Sequence, residues 1–363
     1  MLFFLLQVYF CGDQKKVFKK KKIEVPLDKF INNALYHPQK GYYMTKSPFG
    51  KNGDFITAPN ISVIFSEMVF LWIISYWKKY YKDKRINIVE LGSGNAEMMD
   101  QIISSAKKFN NFYLKCNFMI YERSKKLINF QKIKLKKHKI KWLKNLKRVG
   151  NNPTIFLGNE FLDALPVKQF INTNNTWYER YVQKQGKSFG FTKKKCDIKK
   201  LEKKLNFNIS KNQKFLEISF EQINILKKLN NLISINGGCL LFIDYAYHGH
   251  KMYDTLQAVK KHKKVKIFEN VGSSDISHLI NIPFLKDVAK ELNLEVNYNT
   301  QRNFLLNLGI LERAEILAKN KTFLEKANIF YRVNRLIDKK QMGELFKVIY
   351  FYKKNYKFNL GFK

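Results

Sequence analysis

One segment constrains the fold more than any other: a short apolar run that carries an acid near its end and leads into a Gly-x-Gly turn. Residues 86–91 have the length and composition of a buried strand, and Glu90 lies near its end. Gly92-Ser93-Gly94 then leads into a predicted helix at about 97–107. Glycines at such a turn let the backbone approach a ligand closely. Ala96 stands where a dinucleotide-binding pattern often has its third glycine, so an ordinary tight turn remains an alternative.

Predicted strands and helices alternate after this turn. The further strands are predicted at 116–121, 142–146, 154–158 and 238–245, and the helices at 125–136 and 220–233. Alternation of this kind predicts a parallel sheet covered by helices on both faces. We therefore expect an α/β fold with a Rossmann-like sheet in a core that spans residues 86–352.

Two insertions interrupt the predicted core. The first, at about 167–200, alternates in the strand period between turn-forming segments, which predicts a small antiparallel meander. The second spans about 248–283. Beyond it we expect helices at 284–292, 311–319 and 322–337, extended runs at 295–298 and 303–309, and a closing strand at 346–352.

The segments that flank the core differ in character. Residues 25–85 are expected to form a cap with a helix at 25–36, the loop GDFITAP at 53–59 and a buried helix at 61–77. The basic segment 1–24 is expected to be a disordered tail, and 353–363 a basic C-terminal tail.

An acid that follows the second predicted strand adds to the glycine turn. Glu122 stands where such folds place a carboxylate that accepts hydrogen bonds from a ribose diol, although a solvated glutamate is the alternative. Glu90, the Gly-x-Gly turn and Glu122 together favour a cofactor that contains adenosine. Because the glycine pattern is relaxed and no Walker lysine is present, S-adenosylmethionine is favoured over NAD or ATP.

The segment after the fourth predicted strand carries two more acids. Asn159 ends this strand, and Glu160 and Asp163 follow at the sheet edge where ligands bind. Two acids three residues apart in a tight turn can face one cationic group together, whereas a helix-capping pair is the alternative. Asp244 ends the strand at 238–245 and is interpreted as a strand terminator.

Composition restricts the classes of partner. The chain has 67 Lys and Arg against 29 Asp and Glu, a net charge of +38, but only eight of the basic residues are arginine. Arginine is the side chain that reads phosphates and bases with two parallel hydrogen bonds. The excess of lysine therefore favours solvated surfaces over a nucleic-acid-binding face.

Cysteine and histidine spacing predicts no metal site. The four cysteines are far apart, the six histidines form no cluster, and a reducing compartment is expected. The apolar first ten residues are far shorter than the roughly 20 that span a bilayer. They also lack the features of a secretory signal, so no membrane span and a cytoplasmic location are expected.

Several collinear blocks resemble the MidA-type S-adenosylmethionine-dependent methyltransferases, which occur in bacteria and mitochondria. The blocks extend over about 35–350 and are LYHPQKGYY (35–43), GDFITAP (53–59), ELGSG (90–94), NEFLDALPVKQF (159–170), GGCLLFIDY (237–245), DTLQAVKKH (254–262), FLLNLGI (304–310) and QMGELFKV (341–348). The resemblance implies a class I methyltransferase fold and S-adenosylmethionine as the cofactor. It also implies an arginine nitrogen of a protein linked to respiratory complex I assembly as the methyl acceptor. In a eukaryote, it implies the mitochondrial matrix.

The site residues divide between cofactor and acceptor. We expect Glu90, Gly92, Gly94, Glu122 and Asn159 to bind the cofactor. We expect Glu160 and Asp163, with Asp54 as a third candidate, to orient the acceptor as catalytic residues.

The glycine block departs from the family pattern. It reads Gly-Ser-Gly-Asn-Ala-Glu at 92–97, whereas the family usually has Gly-Pro-Gly-Arg-Gly-Thr. A non-catalytic assembly factor that keeps the fold is therefore one alternative. An RNA methyltransferase, which the basic charge allows, is the other.

Overall fold

The computed structural model describes residues 23–46, 48, 53–54, 56–186 and 188–363. The predicted tail lies outside these residues except for Ile23 and Glu24, and the loop at 53–59 is described without residue 55. In chain order, the strands are β1 (Ile23–Pro26), β2 (Ile86–Leu91), β3 (Cys116–Tyr121), β4 (Ile140–Leu143), β5 (Thr154–Asn159), β6 (Lys168–Thr173), β7 (Thr176–Gln185), β8 (Ser188–Lys195), β9 (Phe215–Ile218), β10 (Gly238–Tyr247), β11 (Gln257–Lys260), β12 (Lys263–Val265), β13 (Asp275–Ser277), β14 (Ile280–Asn281), β15 (Glu295–Thr300) and β16 (Phe346–Tyr352).

The helices lie between these strands. They are α1 (Leu27–Tyr36), α2 (Tyr42–Thr45), α3 (Ala58–Ile61), α4 (Val63–Tyr80), α5 (Glu97–Ala106), α6 (Asn110–Tyr113), α7 (Lys125–Lys134), α8 (Ile198–Leu205), α9 (Phe220–Asn236), α10 (Ile282–Glu291), α11 (Gln301–Asn307), α12 (Ile310–Ala318), α13 (Phe323–Ile337) and α14 (Met342–Leu345).

The central element is a mixed sheet in the order β15-β16-β10-β5-β2-β3-β4, with β14 beside the end of β10. The five strands from β10 to β4 are parallel, and β16 is antiparallel to both of its neighbours. Alternate residues of β5 enter different cores: Ile155 and Leu157 pack with α4 and α5, whereas Phe156 packs with α9 and α10. Burial on both faces explains why these strands are mostly apolar. The predicted α/β fold with helices on both faces is confirmed.

The first insertion forms a separate antiparallel sheet in the order β1-β7-β6-β9, with β8 also paired to β7. The predicted meander is confirmed as β6, β7 and β8, and the insertion continues through α8 to β9. The helix predicted from residue 25 begins at Leu27. The chain before it is β1, which pairs with β7 so that Ile23 lies opposite Lys184. Residues 23 and 24 are therefore part of a sheet and not of the tail.

The second insertion also carries a small sheet, in the order β12-β11-β13. Its strand β13 begins at Asp275, and β14 follows alongside β10. β14 therefore brings this insertion to the carboxyl end of β10.

One predicted extended run is wrong. Residues 303–309 lie largely in α11, because the Thr300 hydroxyl accepts a hydrogen bond from the Asn303 N–H (3.1 Å) and caps the helix. Phe304 and Leu305 are buried in the core that contains α4. An apolar run of this length fits a buried helix as well as a strand.

The segment predicted as a C-terminal tail packs against α4. The indole N–H of Trp72 donates to the carbonyl of Leu360 (3.1 Å), and the ring of Phe358 is buried against Trp72. The basic residues of this segment alternate with aromatic ones, and the aromatic ones pack into the body of the protein.

Candidate cofactor and acceptor site

A cleft of about 1080 Å³ opens at the carboxyl ends of the parallel strands. This is the edge at which open α/β sheets bind ligands. All eight site residues predicted from the sequence line it: Asp54, Glu90, Gly92, Gly94, Glu122, Asn159, Glu160 and Asp163. The sheet therefore brings the two predicted groups of residues to one cavity.

The glycine turn after β2 adopts a left-handed backbone. Gly92 and Gly94 have φ angles of 64° and 53°, a region that glycine enters without steric cost. A Cβ on Gly92 would also lie 2.9 Å from Cδ2 of Phe161. Ala96 has a φ of 59°, so the turn keeps its shape although alanine costs about 1 kcal/mol in this region. The departure from the family pattern at this position therefore preserves the backbone path.

Two glutamates lie beside this turn. Glu90 is 4% exposed and accepts a hydrogen bond from the Ser93 hydroxyl. Burial raises its pKa to about 8, and the hydrogen bond from Ser93 partly opposes this. Glu122 accepts hydrogen bonds from the backbone N–H groups of Arg123 (2.8 Å) and Ser124 (3.0 Å). Burial raises the pKa of Glu122 as well.

Gln131 in α7 connects Glu122 to the glycine turn. Its side-chain amide donates to a carboxylate oxygen of Glu122 (3.2 Å) and to the carbonyl of Gly94 (3.0 Å). Gln131 was not predicted as a site residue, because it lies in the middle of a helix and not at the end of a strand. Gln131 fixes the distance between the two elements that we expect to hold the adenosine.

Asn159 at the end of β5 has a side-chain oxygen that a polar ligand in the cleft could reach. Its side-chain oxygen is buried and has no hydrogen-bond partner among the described residues. Its side-chain nitrogen donates to the Glu160 carboxylate (3.1 Å). A buried acceptor without a partner is uncommon in native proteins. An amino group of a bound ligand would satisfy it, so the residues here fit the amino-acid part of S-adenosyl-L-methionine.

The loop after β5 carries the predicted catalytic acids. Glu160 has a φ of 51°, and its backbone N–H donates to the carbonyl of Ile243 in β10 (2.9 Å). Burial and then the negative charge of Asp244 raise its pKa to about 8. Burial and the neighbouring carboxylates of Asp244, Asp275 and Glu160 also hold the pKa of Asp163 well above its ordinary value. A cation bound here would restore the ionised forms.

Asp244 holds this loop in place. Its fully buried Oδ2 accepts hydrogen bonds from three successive backbone N–H groups, those of Phe161 (3.1 Å), Leu162 (2.8 Å) and Asp163 (3.3 Å). The interpretation of Asp244 as a strand terminator is therefore incomplete, because its carboxylate determines where the two catalytic candidates lie.

Asp54 lines the cleft with both carboxylate oxygens engaged. Oδ2 accepts a hydrogen bond from the Tyr42 hydroxyl (2.6 Å), and Oδ1 accepts one from the backbone N–H of Lys261 (2.6 Å). Asp54 therefore connects α2 to the turn between β11 and β12. Asp275 was not predicted as a site residue, although it lines the same cleft.

Two further features were searched for in the described part of the chain: metal-binding groups and membrane-spanning helices. No group of three or more His, Cys, Asp or Glu side chains there is arranged to hold a metal ion. Of the helices searched in those residues, none combines the length and the apolar character needed to cross a bilayer.

Comparisons with known proteins agree with this geometry. The model of the family described as "Putative S-adenosyl-L-methionine-dependent methyltransferase" matches residues 68–300. "Protein arginine methyltransferase NDUFAF7, mitochondrial" of Danio rerio is 27% identical over 360 residues, which cover 89% of this chain and 82% of that protein. The Homo sapiens protein of the same name is 26% identical over 361 residues, with 89% and 78% covered.

A solved structure has the same fold. A crystal structure of a Burkholderia thailandensis protein bound to S-adenosyl-homocysteine superposes with a TM-score of 0.79 at 21% identity. The superposition covers 94% of this chain and 89% of the other. The similarity therefore extends over the cap and both insertions as well as the central sheet.

Proposed function

The chain belongs to this family of S-adenosyl-L-methionine-dependent methyltransferases, and from that premise we propose that it methylates an arginine side-chain nitrogen of a protein. The names of its relatives support this acceptor. The MidA resemblance further supports a subunit of respiratory complex I as the substrate. The relatives' names also support the mitochondrial matrix if the source is a eukaryote, and we propose the cytoplasm if it is a bacterium.

The observation that carries the proposal is a pair of carboxylates, the half-buried Glu160 and the buried Asp163, that line the same cleft as the proposed cofactor residues. Glu160 and Asp163 line the same cleft as the Gly92–Gly94 turn, and no described Lys, Arg or His forms an ion pair with either acid. Guanidinium keeps its charge at any physiological pH and matches carboxylates with two parallel hydrogen bonds. A cationic acceptor would therefore be both bound and oriented here.

In the proposed reaction, different residues bind the cofactor and orient the acceptor. Glu122 would accept hydrogen bonds from the ribose hydroxyls, and the side-chain oxygen of Asn159, which has no partner among the described residues, would accept one from the amino group. When bound, the cofactor supplies an electrophilic methyl group on a sulfonium sulfur. Glu160 and Asp163 would hold one guanidinium nitrogen in line with it. Alignment of two reactants within about 3–3.5 Å lowers a barrier by several kcal/mol.

Calorimetric titration and a methylation assay test the proposal together. We expect wild-type protein to bind S-adenosyl-L-methionine and Gly94→Val to lose binding, because a branched side chain cannot adopt the left-handed turn. Glu160→Gln should retain binding and lose turnover. Glu221→Gln, which removes an exposed acid from the same cleft, is the matched control and should retain both.

The acceptor is identified with isotope-labelled cofactor and extracts from cells that lack this protein. We expect the label in methylarginine after acid hydrolysis of the protein fraction. Label in lysine or in RNA would contradict the acceptor class. Absence of binding at millimolar cofactor would instead support a non-catalytic assembly factor. Full turnover in Glu160→Gln would remove Glu160 from the mechanism.

A further inference from the structure

We infer that Asp275 is an acceptor-binding carboxylate, which completes with Glu160 and Asp163 a subsite for a guanidinium side chain. The inference rests on the proposed function, because it assigns an additional residue to the acceptor of that reaction. It assigns the role of third acid to Asp275 in place of Asp54.

The first argument is the state of the Asp275 carboxylate. Asp275 is 5% exposed and begins β13, which pairs with β11 through Val259. Its side chain lines the cleft, and its Oδ1 is buried with no hydrogen-bond partner among the residues that the structure describes. Burial of an acceptor without a donor costs free energy, so such an atom indicates a place where a ligand donates.

The second argument is that Asp275 lies near the catalytic candidates Glu160 and Asp163. The backbone N–H of His278, which follows β13, donates to the carbonyl of Asp163 (3.3 Å) and joins this segment to the loop after β5. The negative charge of Asp275 raises the pKa of both Asp163 and Glu160. Burial raises the pKa of Asp275 itself to about 6, which the neighbouring Tyr43 partly opposes. Within the described chain, no basic side chain pairs with Asp275.

Aromatic rings line the cleft beside these acids. Tyr36 and Tyr43 are stacked with their ring centroids 5.6 Å apart, and Tyr245 packs on Phe346 at 4.0 Å. Cations bind over aromatic faces, and arginine does so most often. The guanidinium of Arg123 already lies 4.6 Å from the centroid of the Tyr36 ring. A planar cation is therefore already held against an aromatic ring at this cleft.

Asp54 is a poorer candidate for this role. Both of its oxygens already accept hydrogen bonds, from the Tyr42 hydroxyl and from the Lys261 N–H. Asp275 keeps one oxygen free. A guanidinium has five N–H donors in one plane, enough for two or three carboxylates at once, whereas an ammonium has three donors on one atom.

The test uses the full chain with saturating S-adenosylhomocysteine and Nα-acetyl-arginine methylamide as the probe, followed by NMR titration. We expect Asp275→Asn to weaken probe binding by about 10- to 100-fold, the loss of one charge-assisted hydrogen bond. The affinity for S-adenosylhomocysteine should stay within about twofold. The melting temperature should be unchanged or higher, because a neutral amide suits a buried site better than an unpaired carboxylate. Glu221→Gln is the matched control and should change neither affinity.

Turnover with an arginine-containing protein substrate gives a second readout, in which Asp275→Asn should raise KM more than it lowers kcat. Unchanged probe affinity in Asp275→Asn, with weakened binding in Glu160→Gln, would overturn the role of Asp275 and leave the proposed function standing. A wild-type protein that binds S-adenosylhomocysteine and prefers Nα-acetyl-lysine methylamide to the arginine probe would overturn the acceptor class itself. A lowered melting temperature in Asp275→Asn with normal probe affinity would assign Asp275 to the structure of the insertion.

Discussion

Replacement of Asp244 should show how much its carboxylate contributes to the stability of the fold and to the position of the loop after β5. Its carboxylate accepts hydrogen bonds from the backbone N–H groups of residues 161, 162 and 163 on one oxygen and from that of Tyr245 (2.9 Å) on the other. Asp244→Ala removes the acceptor for all four donors in a fully buried position, where water does not replace it. Asp244→Asn keeps one acceptor oxygen and the side-chain shape.

The expected magnitude follows from the number of donors that lose their partner. A buried N–H without an acceptor costs about 1–3 kcal/mol. Because the loop can relax, four such losses are not additive, and we expect Asp244→Ala to lower the free energy of unfolding by about 3–6 kcal/mol. Asp244→Asn can satisfy the three loop amides with its oxygen but turns its own NH₂ towards the Tyr245 N–H. We expect it to cost about 1–3 kcal/mol.

Urea denaturation followed by tryptophan fluorescence measures these differences, and turnover reports the geometry of Glu160 and Asp163. We expect both variants to lose turnover more than affinity for S-adenosyl-L-methionine, since the loop carries the two acids proposed to bind the acceptor. Asp83→Asn is the control, because Asp83 forms an exposed ion pair with Lys115 and should leave the midpoint unchanged. If Asp244→Ala unfolds at the wild-type midpoint, other contacts hold the loop and the role given to Asp244 is wrong.

Two further predictions concern the stability of the whole chain. Arg313 in α12 donates two hydrogen bonds of 2.8 Å to Glu67 in α4, so Arg313→Lys should lose the paired geometry and about 1–2 kcal/mol in urea denaturation. The exposed Arg148→Lys is its control, and equal midpoints would show that the pair contributes little. Glu90 and Asp244 have raised pKa values in the folded chain, about 8 and about 7, so the folded state keeps protons that the unfolded chain releases. The free energy of unfolding without ligand should therefore fall as pH rises from about 4.5 to 8, and less so in Glu90→Gln; a rise over this range would contradict these pKa shifts.

The sequence predicted three strands of the central sheet well because each is specified locally. Three strands, β2, β3 and β16, have the bounds that the sequence predicted: 86–91, 116–121 and 346–352. Each is short, mostly apolar and bounded by charged or turn-forming residues. Burial on both faces of the sheet selects such a run.

Elements that depend on distant partners were not predictable in this way. β1 is a strand because β7, about 160 residues later, offers an edge for it, and no pattern in residues 23–26 records that edge. α11 is a helix because Thr300 caps it and its apolar face finds the core around α4. The run at 303–309 is equally compatible with a strand when these partners are unknown.

The same distinction applies to the candidate site. The proposed cofactor residues could be grouped from the sequence, whereas Asp275 could not. Parallel strands end at one edge of the sheet, so residues that follow them converge whatever their separation in sequence. This is why Glu90, Glu122, Asn159 and Glu160 could be grouped from sequence alone and are found along one cleft. Asp275 reaches that cleft only because β13 pairs with β11 and the insertion folds back onto the loop after β5. The topology of the sheet thus determines the positions of the proposed cofactor residues. The position of the proposed acceptor residue Asp275 depends instead on how an insertion packs, which no local pattern in the sequence records.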